Sequence, residues 1–71
     1  MTKGTIGLNA GKIWNLLEDY PYLTWDILQN STYLSDADIW SAIGWLAREN
    51  KIEIDTSNKQ PVLYQGTNFY Y

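Results

Sequence analysis

The chain has 71 residues, enough for one domain over residues 1–71 with one modest core. Four Trp and six Tyr are present, so large rings must supply the buried area that a short chain otherwise lacks. Five Lys and Arg stand against eight Asp and Glu, a net charge of −3, and there is neither Cys nor His. Disulfides, Cys/His zinc sites, thiolate nucleophiles and imidazole acid–base chemistry are therefore excluded.

The opening residues, Met1 to Gly7, have no apolar run of the kind that forms a secretory signal. No apolar stretch approaches the ~18 residues needed to span a bilayer, so a cytoplasmic protein without a membrane partner is expected. Ile13, Leu16, Leu17 and Tyr20 then recur at helical spacing, with Ala10 on the same side. This predicts a first helix over about 8–19, with Asn9 as its N-cap and Pro21 ending the pattern. Tyr22-Leu23-Thr24 is short and β-prone. Thr24 caps a second helix over about 24–30, carrying Trp25, Ile27 and Leu28, which stops at the turn-favouring cluster Asn30-Ser31-Thr32.

Ser35-Asp36-Ala37-Asp38 is a variant of the capping box, with Asp where Glu or Gln is commoner. It opens the best-marked helix, about 35–50, on which Ile39, Ala42, Ile43, Leu46 and Asn50 share one face at about 100° per residue. The isoleucine stripe should face the first helix, and Asn50 can take the left-handed conformation that often ends a helix. Lys51 to Asp55 alternates as a half-buried strand does, 56–61 reads as a turn, and Val62 to Gln65 as the return strand. The hairpin thus covers about 51–65. The tail, Gly66 to Tyr71, reads either as further strand or as aromatic packing onto the domain.

This order of elements is that of a winged helix-turn-helix: an α+β, mainly helical fold, with a three-helix core closed by a C-terminal β-hairpin wing. Two stretches strengthen the reading: Ala10-Gly11-Lys12-Ile13-Trp14, and the unbroken run from Ile43 through Gly44, Trp45, Leu46, Ala47, Arg48, Glu49, Asn50 and Lys51 to Ile52. Together they resemble a family of small bacterial winged helix-turn-helix proteins of uncharacterised function. That family often has Gly where Asn50 stands, a mild departure because Asn serves the same turn. The resemblance implies the fold and carries no reaction, ligand or functional residue.

The acidic balance opposes nucleic acid, whose non-specific affinity comes mainly from phosphate neutralisation. In DNA-binding members of the wider fold the third helix enters the major groove, and here its first turn carries Asp36 and Asp38. These carboxylates complement the positive helix N-terminus, and they face phosphate badly. If DNA is bound nonetheless, the candidate contacts are Trp40, Ser41, Arg48 and the wing residue Lys59. Lys12 and Lys51 complete a scattered set of lysines rather than a basic patch.

Trp45 is the more telling residue. It lies nearly opposite Ile39 and Ile43 on the helical wheel, so its ring either joins a partner surface or is covered by the wing or the C-terminal tyrosines. Gly11 and Gly44 each cost about 1 kcal/mol relative to Ala inside a helix, and both lie on outward faces. The leading expectation is a surface of Trp14, Gly44 and Trp45 that contacts protein, with a second copy of the chain in a homodimer as the first candidate partner. Glu18-Asp19 and Asp36/Asp38 are close carboxylate pairs, and both read as solvated helix ends. A non-enzymatic module with no cofactor and no metal is expected.

Overall fold

The computed structural model describes residues 2–66. Three helices, α1 (Lys3–Asp19), α2 (Trp25–Thr32) and α3 (Asp36–Arg48), precede two strands, β1 (Ile52–Asp55) and β2 (Val62–Gln65). This is the expected three-helix core with a C-terminal hairpin.

The first helix begins well before the expected residue 8. Thr2 is extended and its hydroxyl accepts a hydrogen bond from the Thr5 amide at 3.1 Å, so Thr2 is the N-cap. Asn9 is no cap at all; it sits in the helix interior and is buried. Gly4 and Gly7 hide this start from propensity reasoning, because glycine disfavours helix. Packing overrides that preference: Ile6 and Gly7 are half-buried, and Asn9 and Ala10 are buried. At the other end the Tyr20 amide donates to Leu16 O at 3.0 Å, and Pro21 follows.

Thr24 caps α2 as expected, accepting from the Ile27 amide at 3.3 Å. The helix then runs two residues past the expected stop at 30. Thr32 is buried and serves both sides of the turn: its hydroxyl donates to Leu28 O at 2.6 Å and accepts from the Leu34 amide at 3.2 Å. The chain reverses at Tyr33, whose φ of 58° is left-handed.

Ser35 caps α3 by accepting from the Asp38 amide at 3.2 Å. The helix ends at Arg48 rather than Asn50, and Asn50 takes a left-handed φ of 59°. Its amide donates to Ala47 O, and the Lys51 amide to Leu46 O, both at 3.0 Å. These paired bonds form a Schellman motif, which satisfies the last carbonyls of the helix. Asn50 is exposed and so leaves the core stripe, whereas Ile39, Ala42, Ile43 and Leu46 are all buried. The helix-to-helix contact of greatest extent is α1 on α3, as the stripe requires.

The strands pair antiparallel, with Ile52 opposite Gln65 and Asp55 opposite Val62. Asp55 Oδ1 accepts from the Ser57 hydroxyl at 2.7 Å and the Ser57 amide at 2.9 Å. Those two bonds, the hydroxyl's first, hold the Asp55 carboxyl below its ordinary pKa. The expected short strand at Tyr22-Leu23-Thr24 is a single bridge: Leu23 and Leu63 exchange two backbone hydrogen bonds of 2.9 Å. It ties the hairpin to the helices where both leucines are fully buried, beside Ile13, Leu28, Ile39 and Ile43. The expectation for the tail beyond Gly66 lies outside the described residues. No helix among the described residues is long and apolar enough to cross a membrane.

Candidate functional site

Burying the isoleucine stripe of α3 turns the opposite face outward. Ala37, Trp40, Gly44 and Arg48 are exposed there, and Ser41 is half-buried, its hydroxyl donating to Ala37 O at 2.8 Å. Trp40 is 48% exposed although its other side packs against buried Trp25, with ring centroids 5.3 Å apart. Gly44, one turn further on, has open space where a Cβ would be: nothing lies within 4 Å. The face is framed by opposite charges. Asp36 and Asp38 occupy the first turn and Arg48 the last, an order that also suits the helix dipole. Asp36 is held from α2 by Gln29, whose Nε2 donates to its Oδ1 at 2.9 Å.

Trp45 is half-buried and packs against the core. What meets its ring is the upstream turn of α1: a Cβ on Gly7 would stand 3.6 Å from Trp45 Cζ2. The indole thus packs on the first turns of α1, a contact invisible to a reading that began the helix at residue 8. The outer edge of Trp45 shares a shallow recess with Arg48 and Glu49. Trp14 has different surroundings. Lys51 Nζ lies 5.6 Å from its ring centroid, a cation–π distance, and 3.7 Å from Glu49 Oε1. Trp14 and Lys51 also line a small cleft with Gln65 and Gly66. Of the three residues expected in a partner surface, Gly44 is therefore fully outward, Trp45 partly covered, and Trp14 occupied by the wing's first lysine.

Among the expected nucleic-acid contacts, Trp40, Ser41 and Arg48 lie along the outer side of α3, while Lys59 is exposed on the wing turn. Lys59 lines an open cleft with Thr24, Trp25, Asn58 and Pro61, whereas Arg48 lines the recess beside Trp45. Lys51 is engaged with Glu49 and Trp14. Acidic Asp36 and Asp38 stand at the start of the helix, and Glu53 and Asp55 are on β1. Among the described residues no group of three or more Asp or Glu could hold a metal ion.

Other exposed side chains escaped the sequence reading. Tyr33 is 89% exposed at the left-handed turn position, and Leu8 is 73% exposed on the outer side of α1. Tyr22 and Tyr64, both exposed, make a tilted ring contact with centroids 5.9 Å apart beside the Leu23–Leu63 bridge. Only the pairing of segments that are distant in sequence could reveal the last of these.

A family model described as a winged helix-turn-helix domain (DUF2582) matches residues 1–65. The chain is similar in structure to protein BT2368 from Bacteroides thetaiotaomicron, determined by solution NMR, with a TM-score of 0.77 and 37% sequence identity. That similarity covers 92% of this chain and 79% of the other. No curated protein matches the sequence.

Proposed function

The chain belongs to the DUF2582 family of winged helix-turn-helix domains, a fold commonly used on DNA, and from that premise we propose a non-enzymatic module acting through protein–protein contact, specifically self-association. The observation that carries this reading is the outer face of α3. A helix that reads bases presents Arg, Lys, Asn or Gln to the groove and keeps carboxylates away from phosphate. Here the corresponding face presents a half-exposed indole, Trp40, beside the open Gly44, behind two aspartates, and its one cation, Arg48, stands in the last turn.

Exposed aromatic area next to a residue without a side chain is the composition of an interface centre, where Trp commonly dominates the binding energy. Gly44 costs α3 about 1 kcal/mol of helix stability relative to Ala, and nothing within the described chain occupies the space it leaves. Close approach by a second backbone gives that space a use. Trp45 adds its uncovered edge on one flank.

Sedimentation across a concentration series tests the reading. The protein should show a mass above that of the 8.2 kDa monomer at high concentration. Gly44→Leu should reduce association while keeping or raising the melting temperature, since leucine favours helix. Trp45→Ala should lower the melting temperature because its ring packs on Gly7. A parent that stays monomeric at every concentration would overturn self-association.

A further inference from the structure

We propose that the five residues after Gly66 strap back over the cleft beside Trp14, seating the Phe69 ring against the Trp14 indole. The proposal is independent of self-association, because the occupant belongs to the same chain.

The cleft lies between α1 and the hairpin. Its walls are Trp14, Lys51, Gln65 and Gly66, and it holds about 300 Å³, the small end of the range for ligand pockets. That size suits one large side chain rather than the face of a globular partner. The Trp14 indole is half-buried, with Lys51 Nζ 5.6 Å from its centroid. A lysine stem can cover apolar surface while its ammonium stays in water. A second ring gains burial here together with an offset or edge-to-face contact.

The point where the chain leaves the hairpin decides what reaches this cleft. Gly66 is itself one wall. Its amide donates to Lys51 O at 2.8 Å, one step beyond the Ile52–Gln65 pair. The ladder stops there. The Lys51 amide is committed to Leu46 O and the Asn50 amide to Ala47 O, both at 3.0 Å. Asn50, which would stand opposite residue 67, has a left-handed φ of 59° that no strand uses. A continuation of β2 thus finds no partner on β1, which leaves aromatic packing as the use of the tail.

The sequence after Gly66 is Thr67-Asn68-Phe69-Tyr70-Tyr71. Three residues reach at most ~10 Å, enough for Phe69 to turn back onto a cleft that begins at Gly66. Phe69 suits the site better than its neighbours, since a buried tyrosine must also find a partner for its hydroxyl. With that ring in place Trp14 is covered from within the chain. The surface left for a partner contracts to the outer side of α3.

Proton NMR of the whole chain reads the contact, and Phe69 is the one phenylalanine in the sequence. Dilute samples should show nuclear Overhauser effects between the Phe69 ring and the Trp14 indole. Phe69→Ala should shift the Trp14 indole resonances, leave those of Trp25 in place, and lower the Tm by about 4 °C or more. Phe69→Leu, which keeps apolar bulk, should recover part of that loss. No Phe69–Trp14 contact, with Trp14 unmoved in Phe69→Ala, would overturn the proposal. Contacts from Phe69 to Trp40 or Trp45 instead would overturn it by seating the tail on α3. A mixture of isotope-labelled and unlabelled chains tests the remaining occupant: contacts seen only between copies would give the cleft to a second molecule and overturn the strap.

Discussion

Tyr33 and Gly66 show how a single backbone position can conflict with its residue or demand it. Tyr33 holds a φ of 58° with its side chain 89% exposed, so the ring gains little from burial. The left-handed conformation costs a non-glycine residue roughly 1–2 kcal/mol. Tyr33→Gly should therefore stabilise the domain by about 1 kcal/mol, or roughly 4–8 °C in Tm for a chain of this size. Gly66 is the converse case. Its amide donates to Lys51 O at 2.8 Å, and a Cβ there would lie 2.8 Å from Asn50 O and 2.9 Å from Lys51 C. Backbone cannot swing aside as a side chain does, so Gly66→Ala should destabilise by about 1–3 kcal/mol. Thermal melts of the two variants should move in opposite directions; a lower Tm for Tyr33→Gly would mean the tyrosine makes a stabilising contact.

Among the elements, α3 concentrates the forces that make the fold. Ser35 starts it, the Schellman motif at Asn50 ends it, and Ile39, Ala42, Ile43 and Leu46 bury its inner face. Ile43 is 1% exposed. Ile43→Asp would place an unpaired carboxylate in the core, at a cost of several kcal/mol. A domain with about 5 kcal/mol to lose should then show no cooperative melt; retention of the parental transition would mean the inner face is assigned wrongly. α1 carries a different lesson. Its first turns contain Gly4 and Gly7 and would be marginal alone. Packing of the segment under Trp45 supplies what propensity does not. Gly7→Ala should accordingly be tolerated, since its Cβ would meet Trp45 at an ordinary contact distance of 3.6 Å, and it should gain up to about 1 kcal/mol of helix propensity. A melting temperature well below the parent's would show that the indole needs the full gap.

For the whole molecule, charge placement decides which partners the fold can serve. The net charge is −3, and the acids include Asp36 and Asp38 where a groove-reading helix would meet phosphate. Lys51 is engaged with Glu49 and Trp14, and Lys59 and Arg48 line different recesses. Any DNA binding should then be weak and should vanish as salt rises, because counterion release would be its only source. A shift assay on duplex DNA from low to physiological salt checks this. A sequence-selective complex that survives physiological salt would instead favour Trp40, Ser41, Arg48 and Lys59 as a DNA surface, and charge reversal at Lys59 would then test the wing.

Much of the fold was legible in the sequence, because its signals are local. Thr24 and Ser35 announce two helix starts by side-chain capping, and the 3.6-residue stripe from Ile39 to Leu46 announces a buried face. Asn50 marks a left-handed stop, and alternation in β1 marks the hairpin. Each of these depends on residues within a turn or two of one another. Where the outcome depended on distant residues, the local signal misled or was silent. α1 begins at Lys3 because Thr2 caps it and Gly7, a turn further on, packs against Trp45 of α3, and α2 reaches Thr32 because burial there lets the hydroxyl serve both helix and turn. The cover over Trp45 is Gly7, 38 positions away in sequence. The candidate surface divides along the same line. Gly44 was recognisable as outward from its helical phase alone. That Trp40 is backed by Trp25 yet half exposed, and that Trp14 lies beneath Lys51, was decided only when separate helices and the wing came together, since shared burial is a property of pairs that no single segment contains.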